Sequence, residues 1–284
     1  MVDILEWQEQ LIVRIGGQEY TRYSWGTHGL KPSIYPLRAA NGLSLVADCP
    51  TDHRHHHGIW IGHRRVNDSD FWLEKPESGR IELKSYSIAS PEDGSSATVY
   101  SSNDWIDARG DLILRDDRSL TFYDMPTEKR WFDLSITLIA PSSSTVRLNQ
   151  TNEAGIPHIR VADGLTVKTG GTLTNAEGKQ NERGTYRQKS GWVDCSGRLG
   201  RLECGIAVFD HSDNPAFPTP WFTRDYGPFS PNYGFFAAAP VEISPGAPLV
   251  LRYRIYTHSG NVLEGCVSEA WDRYLAEQSN GLNL

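Results

Sequence analysis

The pattern of hydrophobic and polar residues has a period of two along most of the chain. In 134–139 and 249–257, every second residue is large and apolar. This is the spacing of a β-strand that buries one face. Similar short runs lie near residues 10–15, 18–23, 44–47, 58–63, 81–88, 96–101, 111–115, 119–123, 144–151, 183–194 and 202–209. Between them lie turn clusters such as Glu92-Asp93-Gly94, Arg109-Gly110-Asp111 and Asp116-Asp117-Arg118. Many short strands joined by short turns predict an all-β fold, a large antiparallel β-sandwich that occupies 1–284 as a single domain.

One segment has helical periodicity instead. Leu263, Val267 and Trp271 belong to an apolar stripe that recurs every three to four residues. Asn261 is a suitable N-cap, and Glu264 follows three residues later, as in a capping box. The pattern predicts a C-terminal helix over about 262–278 that packs on a sheet. The proline-rich stretch 210–236 is interpreted as an ordered lid or rim, because proline restricts the backbone.

Composition and charge narrow the possible functions. The net charge of −7 argues against nucleic acid as a partner, since nucleic acid requires a basic face. No apolar stretch has the length of a membrane span, and the N-terminus does not resemble a signal peptide. The four cysteines include no Cys-x-x-Cys pair, which indicates reduced thiols in a cytoplasmic protein. Without a glycine-rich phosphate loop, no nucleotide cofactor is expected. A homo-oligomer remains compatible with these observations.

The strongest functional signal is a run of histidines. Five of the nine histidines lie between His53 and His63, directly before or within the apolar run 58–63. Imidazole titrates near neutral pH and is the commonest metal ligand in proteins. His53, His56 and His63 are therefore predicted as catalytic residues.

Two chemical interpretations of this run stay open. His53, His55 and His56 can hold Zn²⁺, Mn²⁺ or Fe²⁺ if the segment forms a turn, with Asp52 as a fourth ligand or as a partner of one. Alternatively, the same imidazoles act as general acid and base without a metal. The predicted cofactor is thus either none or a divalent metal ion. In a strand over 58–63, His63 shares a face with the isoleucines of that run, so it points with the apolar set.

Three other segments carry candidate ligand-binding groups. Glu153 follows a strand-like run and is predicted as a catalytic carboxylate beside the imidazoles. The two prolines of 31–38 favour an extended path that presents cations suited to hydroxyl-rich or anionic ligands. Aromatic, Asn and Asp side chains between 209 and 232 form a candidate rim on which a sugar ring can stack. The predicted substrate-binding residues are Lys31, Tyr35, Arg38, Asn67, His158, His211, Asn214, Trp221, Tyr226 and Asn232.

These segments resemble, in this order, the bacterial PmoA-like family, also called "methane oxygenase PmoA". The resemblance extends over roughly 31–258, and its most specific part is the motif Asp-His-x-His-His at 52–56. The sequence differs at His57, where many members are expected to have Arg, and at Asp68, where Gly is frequent. Further matches are Val66-Asn67, Asp70-Phe71-Trp72, Trp131, Asp133, Glu153, Gly191-Trp192, Phe209-Asp210-His211, Asn214, Trp221, Tyr226-Gly227 and Asn232.

The resemblance implies a galactose-mutarotase-like supersandwich and carbohydrate chemistry, by analogy alone. Histidine and carboxylate groups in such sandwiches transfer protons on sugars. The sequence therefore predicts an enzyme that acts on a sugar or an oxidised (keto) glycoside as a lyase, epimerase or hydrolase. A non-catalytic module that binds or senses a small-molecule carbohydrate is the alternative from a different class, and a histidine-ligated metalloenzyme is the third possibility.

Overall fold

The chain folds mainly into antiparallel strands. The computed structural model describes residues 1–26, 29–233 and 239–279. The strands are β1 (Val2–Trp7), β2 (Gln10–Ile15), β3 (Gln18–Ser24), β4 (Ser33–Leu37), β5 (Ile59–His63), β6 (Arg80–Ala89), β7 (Ser96–Ile106), β8 (Leu112–Tyr123), β9 (Lys129–Ile139), β10 (Val146–Leu148), β11 (Ala154–Arg160), β12 (Thr172–Asn175), β13 (Trp192–Leu199), β14 (Leu202–Asp210), β15 (Trp221–Thr223), β16 (Pro228–Pro231), β17 (Val241–Ile243) and β18 (Leu249–Ser259). The helices are α1 (Asn181–Thr185) and α2 (Val267–Ser279), with 3₁₀ turns at Asp163–Leu165 and Val167–Thr169.

Two eight-stranded sheets form the sandwich. The first has the order β1-β2-β3-β4-β5-β11-β16-β15, and the second has the order β12-β13-β14-β18-β9-β8-β7-β6. The neighbouring strands in both sheets are antiparallel. The short strands β10 and β17 pair separately. The prediction of a large antiparallel all-β sandwich with a C-terminal helix is confirmed.

The core lies between the sheets and follows the period of two. Leu134, Ile136 and Leu138 of β9 are buried, as are Leu251 and Ile255 of the adjacent β18. These side chains join residues of the first sheet in one continuous hydrophobic cluster. Burial of each such side chain contributes about 1.5–3 kcal/mol relative to exposure.

One predicted turn is wrong. The charged residues at 116–118 lie inside β8, which runs without a break from Leu112 to Tyr123. Asp116 and Arg118 face inwards, and Arg118 Nε donates a 2.6 Å hydrogen bond to Asp116 Oδ1. Asp116 also accepts hydrogen bonds from Asn103 and Trp105. Buried charge is tolerated when it is paired and hydrogen-bonded. The pair can therefore occupy inward-facing positions without interrupting the strand.

The C-terminal helix begins five residues later than predicted. The predicted capping box forms, since Asn261 Oδ1 accepts from the backbone N–H of Glu264 and the Glu264 carboxylate accepts from the N–H of Asn261. It closes a separate turn, however, because Cys266 has a left-handed φ of +52° and interrupts the helical path. Helix α2 then starts at Val267 and packs Trp271 and Tyr274 on the outer face of the second sheet. No helix of the described parts is long and apolar enough to cross a bilayer.

Candidate functional site

Strand β5 separates a core face from a site face. Ile59 and Ile61 point into the sandwich core, whereas Trp60 lies on the opposite face and contacts the rings of His56 and His158. His63 lies two residues after Ile61 and therefore on the same face of the strand as the two isoleucines. Its Nδ1 accepts a 3.0 Å hydrogen bond from the backbone N–H of Arg65. His63 therefore lies in the core and not with the other histidines.

A β-bulge in β11 brings His158 to the same face as Trp60. The pairing between β5 and β11 shifts between Gly155 and His158, where two residues of β11 oppose one residue of β5. His158 is consequently the cross-strand partner of Trp60. Ile156 and Ile159 both remain in the core. Bulges are common beside functional sites because they redirect a side chain without ending the strand.

The histidine run forms two successive turns rather than a strand. The backbone N–H of His53 donates to Pro50 O at 3.0 Å, and that of His56 donates to His53 O at 3.0 Å. The turns stack the rings of His53 and His56 with centroids 4.7 Å apart, and His55 meets His56 edge to face at 4.7 Å. The turn that the metal interpretation required is therefore present.

These histidines and β11 line one pocket of about 180 Å³ on the outer face of the first sheet. Trp72 and Phe222 complete an aromatic wall around His158, at ring distances of 4.8 and 5.6 Å. The pocket is lined by His53, His55, His56, Trp72, Asn152, Glu153, His158, Phe222, Arg224, Tyr226 and Pro228.

Three of the four pocket imidazoles are neutral at physiological pH. Burial, with the Lys31 cation as a smaller cause, lowers the pKa of His55 to about 4. Burial also lowers the pKa of His56 and of His158, and neighbouring histidines add to the effect. Both ring nitrogens of His158 and Nδ1 of His56 are buried, with no hydrogen-bond partner among the residues described. Buried polar atoms of proteins are nearly always satisfied, so these nitrogens are suited to a bound polar ligand.

His53 has a carboxylate partner. Its Nδ1 lies 3.1 Å from Asp52 Oδ2, an ion-pair distance, which leaves Nε2 for a ligand. Arg160 Nη2 donates to both oxygens of Asp52 at 2.9 and 3.0 Å. Although partial burial opposes them, Arg160 and His53 lower the pKa of Asp52, so that it remains ionised. An ionised carboxylate is thus placed beside Nδ1 of His53.

Two further charged groups lie at the edge of the pocket. Glu153, with 38% of its side chain exposed, is paired with Arg64 of the segment after β5. Arg224 belongs to the tight β15–β16 hairpin and pairs with Glu182 at 2.8 Å. The same hairpin presents Tyr226, whose ring stacks on that of His53 at 5.1 Å.

Several predicted substrate-binding residues lie elsewhere because local contacts hold them. Lys31 Nζ is buried and donates to Trp72 O and to the Glu74 carboxylate. Arg38 pairs with Glu19, and Tyr35 packs against the core. These three side chains therefore do not line the pocket.

The remaining polar predictions also lie away from the pocket. Asn67 exchanges hydrogen bonds with Arg147 of β10. His211 packs edge to face on Tyr274 of α2, and Asn214 bridges Asp210 to the backbone of β18. Asn232 follows β16, is fully buried, and donates its backbone N–H to Pro220 O at 2.8 Å. None of these four lines the pocket as described.

Trp221 is a core residue for a simple reason. Trp221 and Phe222 are neighbours in β15 and point to opposite faces of the sheet. Trp221 lies in the core, and Phe222 lines the pocket. The indole Nε1 of Trp221 donates to Ser190 O at 2.8 Å. Of the predicted substrate-binding residues, the structure places His158 and Tyr226 in the pocket.

The pocket contains five residues that the sequence did not predict as site residues, namely Trp72, Asn152, Phe222, Arg224 and Pro228. Two sequence signals could have pointed to some of them. Asn152 is adjacent to the predicted Glu153, and 220–228 is an aromatic segment stiffened by proline.

His57 lies outside this pocket, in a buried network of charges. Its Nδ1 is 2.7 Å from Asp48 Oδ1, and its Nε2 is 3.0 Å from both oxygens of Glu74. Burial acts to lower the pKa of His57, but the hydrogen bonds with the two carboxylates outweigh it and raise the pKa. Despite burial, His57 and Lys31 lower the pKa of Glu74 to about 2. The two carboxylates thus fix the orientation of the His57 ring.

The metal prediction for the histidine run stays a prediction. Within the described ranges, one group of three His, Cys, Asp or Glu residues brings its ligand atoms within 4.8 Å of one another, and it consists of Asp48, Cys49 and His57. The rings of His53, His55 and His56 are stacked or edge to face, and their nitrogens do not meet this distance.

Comparison with known proteins gives a family without a function. A model of a family of unknown function, DUF6807, matches residues 10–272. The chain belongs to this family. The match does not test the resemblance to PmoA-like proteins, which stays a prediction. No curated protein matches the chain significantly.

Solved structures with a related arrangement share little sequence. One is a heparan sulfate lyase HepC mutant from Pedobacter heparinus, with 8% identity and a TM-score of 0.41 over 92% of this chain and 35% of that chain. This chain thus spans about a third of that structure's length. Another is a galactose mutarotase related enzyme from Lactobacillus acidophilus, with 8% identity and a TM-score of 0.37 over 92% of this chain and 98% of that chain. Function must therefore be inferred from the residues of the pocket.

Proposed function

We propose that this chain is a carbohydrate-active enzyme that acts on a sugar or an oxidised (keto) glycoside by proton transfer, as a lyase, epimerase or hydrolase. The observation that carries the proposal is the convergence of four imidazoles, Glu153 and three aromatic rings in one small pocket. Aromatic rings offer an apolar face to a pyranose, and clustered titratable groups in a cleft are typical of catalytic sites.

The contacts of each imidazole suggest a division of roles. His53 is the general base, since the Asp52 carboxylate lies 3.1 Å from Nδ1 and stabilises the positive charge that develops when Nε2 takes a proton. The neutral rings of His56 and His158 donate N–H groups to a keto or hydroxyl oxygen. Such donors stabilise the negative charge that forms on a carbonyl oxygen when the neighbouring C–H is deprotonated. Glu153 is the second proton-transfer group, and it protonates the leaving oxygen or activates water.

The deciding experiment is incubation of the purified protein with a panel of glycosides and 3-keto-glycosides, followed by product analysis. Glu153→Gln is expected to lower kcat by about 100-fold or more, the usual contribution of a general acid or base. Glu242→Gln is the matched control, because Glu242 is also exposed and also paired with an arginine, but lies away from the pocket. No conversion across the whole panel, or equal losses in the two variants, would count against the proposal.

A sugar-binding module without turnover is the second candidate. The lowered pKa values of His55, His56 and His158 favour it, because imidazoles that resist protonation are weak bases but good neutral hydrogen-bonding groups. In that case calorimetry would detect saturable binding of a sugar that remains chemically unchanged.

A further inference from the structure

A second cluster of chemically active side chains lies beside the pocket. Asp48, Cys49 and His57 bring a carboxylate, a thiol and an imidazole nitrogen within 4.8 Å of one another. We propose that these three residues form a binding site for a divalent transition metal, with Zn²⁺ as the preferred ion. A thiolate and an imidazole favour zinc over magnesium or calcium, which prefer sites made of oxygen ligands.

One distance in the cluster matches a zinc site, and a second is shorter than a zinc site requires. With Zn–S near 2.3 Å and Zn–N near 2.0–2.1 Å, tetrahedral angles require about 3.5 Å between sulfur and nitrogen. Cys49 Sγ lies 3.5 Å from His57 Nδ1. Asp48 Oδ1 is 2.7 Å from the same nitrogen, where a tetrahedral ion needs about 3.3 Å. A shift of about 0.6 Å in the Asp48 side chain would bring Oδ1 to the tetrahedral distance from Nδ1.

The opposite side of the imidazole is already arranged as in metal sites. Metal-binding histidines usually donate their other N–H to a carboxylate, which fixes the ring and raises its basicity. His57 Nε2 lies 3.0 Å from both oxygens of Glu74. Glu74 is in turn held by Lys31 Nζ at 2.7 Å and by the backbone N–H of Leu30 at 3.2 Å. This support leaves Nδ1 as the nitrogen that faces Cys49 and Asp48.

The cluster has access to solvent on one side. Asp48 and Cys49 line a second cavity of about 550 Å³, which shares Tyr226 with the first pocket. Cys49 is exposed, whereas His57 is buried. An ion can enter from this cavity, and a water or solute can take the fourth position. Three protein ligands with one open position are typical of catalytic zinc sites.

The test is metal binding by the whole chain, purified without a histidine tag and treated with a chelator. Zn²⁺ is titrated in competition with a chromophoric chelator, and Co²⁺ is used as a spectroscopic probe. We expect one tightly bound equivalent and a thiolate-to-cobalt charge-transfer band. Cys49→Ser is expected to abolish the band and weaken Zn²⁺ binding at least 100-fold, whereas the control Cys266→Ser keeps both. Glu74→Gln should weaken binding by about 10–100-fold, as loss of a partner of a ligating histidine does elsewhere.

Three outcomes would overturn the proposal. One is the failure of Zn²⁺ to compete with a chelator of micromolar affinity. Another is a Co²⁺ complex without the charge-transfer band, which would exclude Cys49 as a ligand. The third is Zn²⁺ binding that persists in Cys49→Ser but is lost in His55→Ala, which would assign the metal to the histidine turns. Because Cys49 is exposed, its variant is expected to fold, and circular dichroism verifies this. None of these measurements depends on the proposed sugar chemistry.

Discussion

From the buried position of His63 we predict how the free energy of unfolding changes at acidic pH. Burial lowers the pKa of this fully buried imidazole from 6.5 to about 3. Between those two values the unfolded chain binds a proton at His63 and the folded chain does not. Stability that depends on neutral His63 is therefore complete above pH 6.5 and is lost as the pH falls towards 3. Each pH unit in this window corresponds to about 1.4 kcal/mol for this one group.

The test is His63→Asn, because Asn Oδ1 can replace Nδ1 as acceptor for the Arg65 backbone N–H. The free energy of unfolding is measured by urea denaturation at pH 7.5 and 4.5 for both proteins. Wild type is expected to lose roughly 3 kcal/mol more between the two pH values than the variant, for about two pH units below 6.5. Comparing each protein with itself removes the constant cost of the substitution. Equal losses would show that His63 takes up its proton in the folded state, which would refute the assignment of this residue to the core.

Three other perturbations test the site and the core. His53→Gln is expected to reduce turnover by 100-fold or more with a small change in Tm, because about a third of its side chain is exposed; unchanged kcat would exclude His53 as the base. Tyr226→Ala should weaken sugar binding about tenfold by calorimetry while Tyr226→Phe retains it, since the ring and not the hydroxyl stacks; equal losses would contradict a stacking role. Asp116→Ala should destabilise the fold by about 3–5 kcal/mol in urea, because it leaves Arg118 buried without its carboxylate, whereas the double replacement Asp116→Leu with Arg118→Met should cost much less.

Local alternation was sufficient to predict much of the fold. Strand β2 has one buried face, and its bounds match the sequence pattern. Strand β14 matches the pattern to within a residue, although both of its faces are buried from Cys204 onwards. Strand β11 was missed as a regular strand because all of its residues are buried and the bulge interrupts the alternation. The turn predicted at 116–118 failed for a different reason. Charges usually indicate solvent, and only the facing residues of β7 reveal that Asp116 has buried partners.

The candidate site was predictable where its residues are close in sequence. The density of histidines at 53–56 indicated a site, and proline at position 50 permitted the turns that stack their rings. The pocket residues that belong to strands distant in sequence are not clustered, so no sequence pattern indicated them. Whether Trp221 or Phe222 faces the pocket depends on where β15 joins the sheet, which alternation alone cannot decide. For His63, the alternation within β5 correctly predicted a position on the core face, although a histidine near the run suggested a catalytic role.

Because of the bulge, the position of His158 in the site depends on the number of residues in β11 as well as on their types. With the even spacing of a regular strand, residue 158 would lie on the same face as Ile156, inside the sandwich. Because of the extra residue, Ile156 faces the core and His158 faces the pocket although they are only two positions apart. Substitutions can therefore change the chemistry at position 158 but cannot move it. Deletion of Pro157 would remove the extra residue and leave a regular strand, with His158 still opposite Trp60 and Ile159 still opposite Ile59. Such a deletion variant should therefore still unfold cooperatively in urea, and loss of cooperative unfolding would show that the first sheet needs the bulge itself.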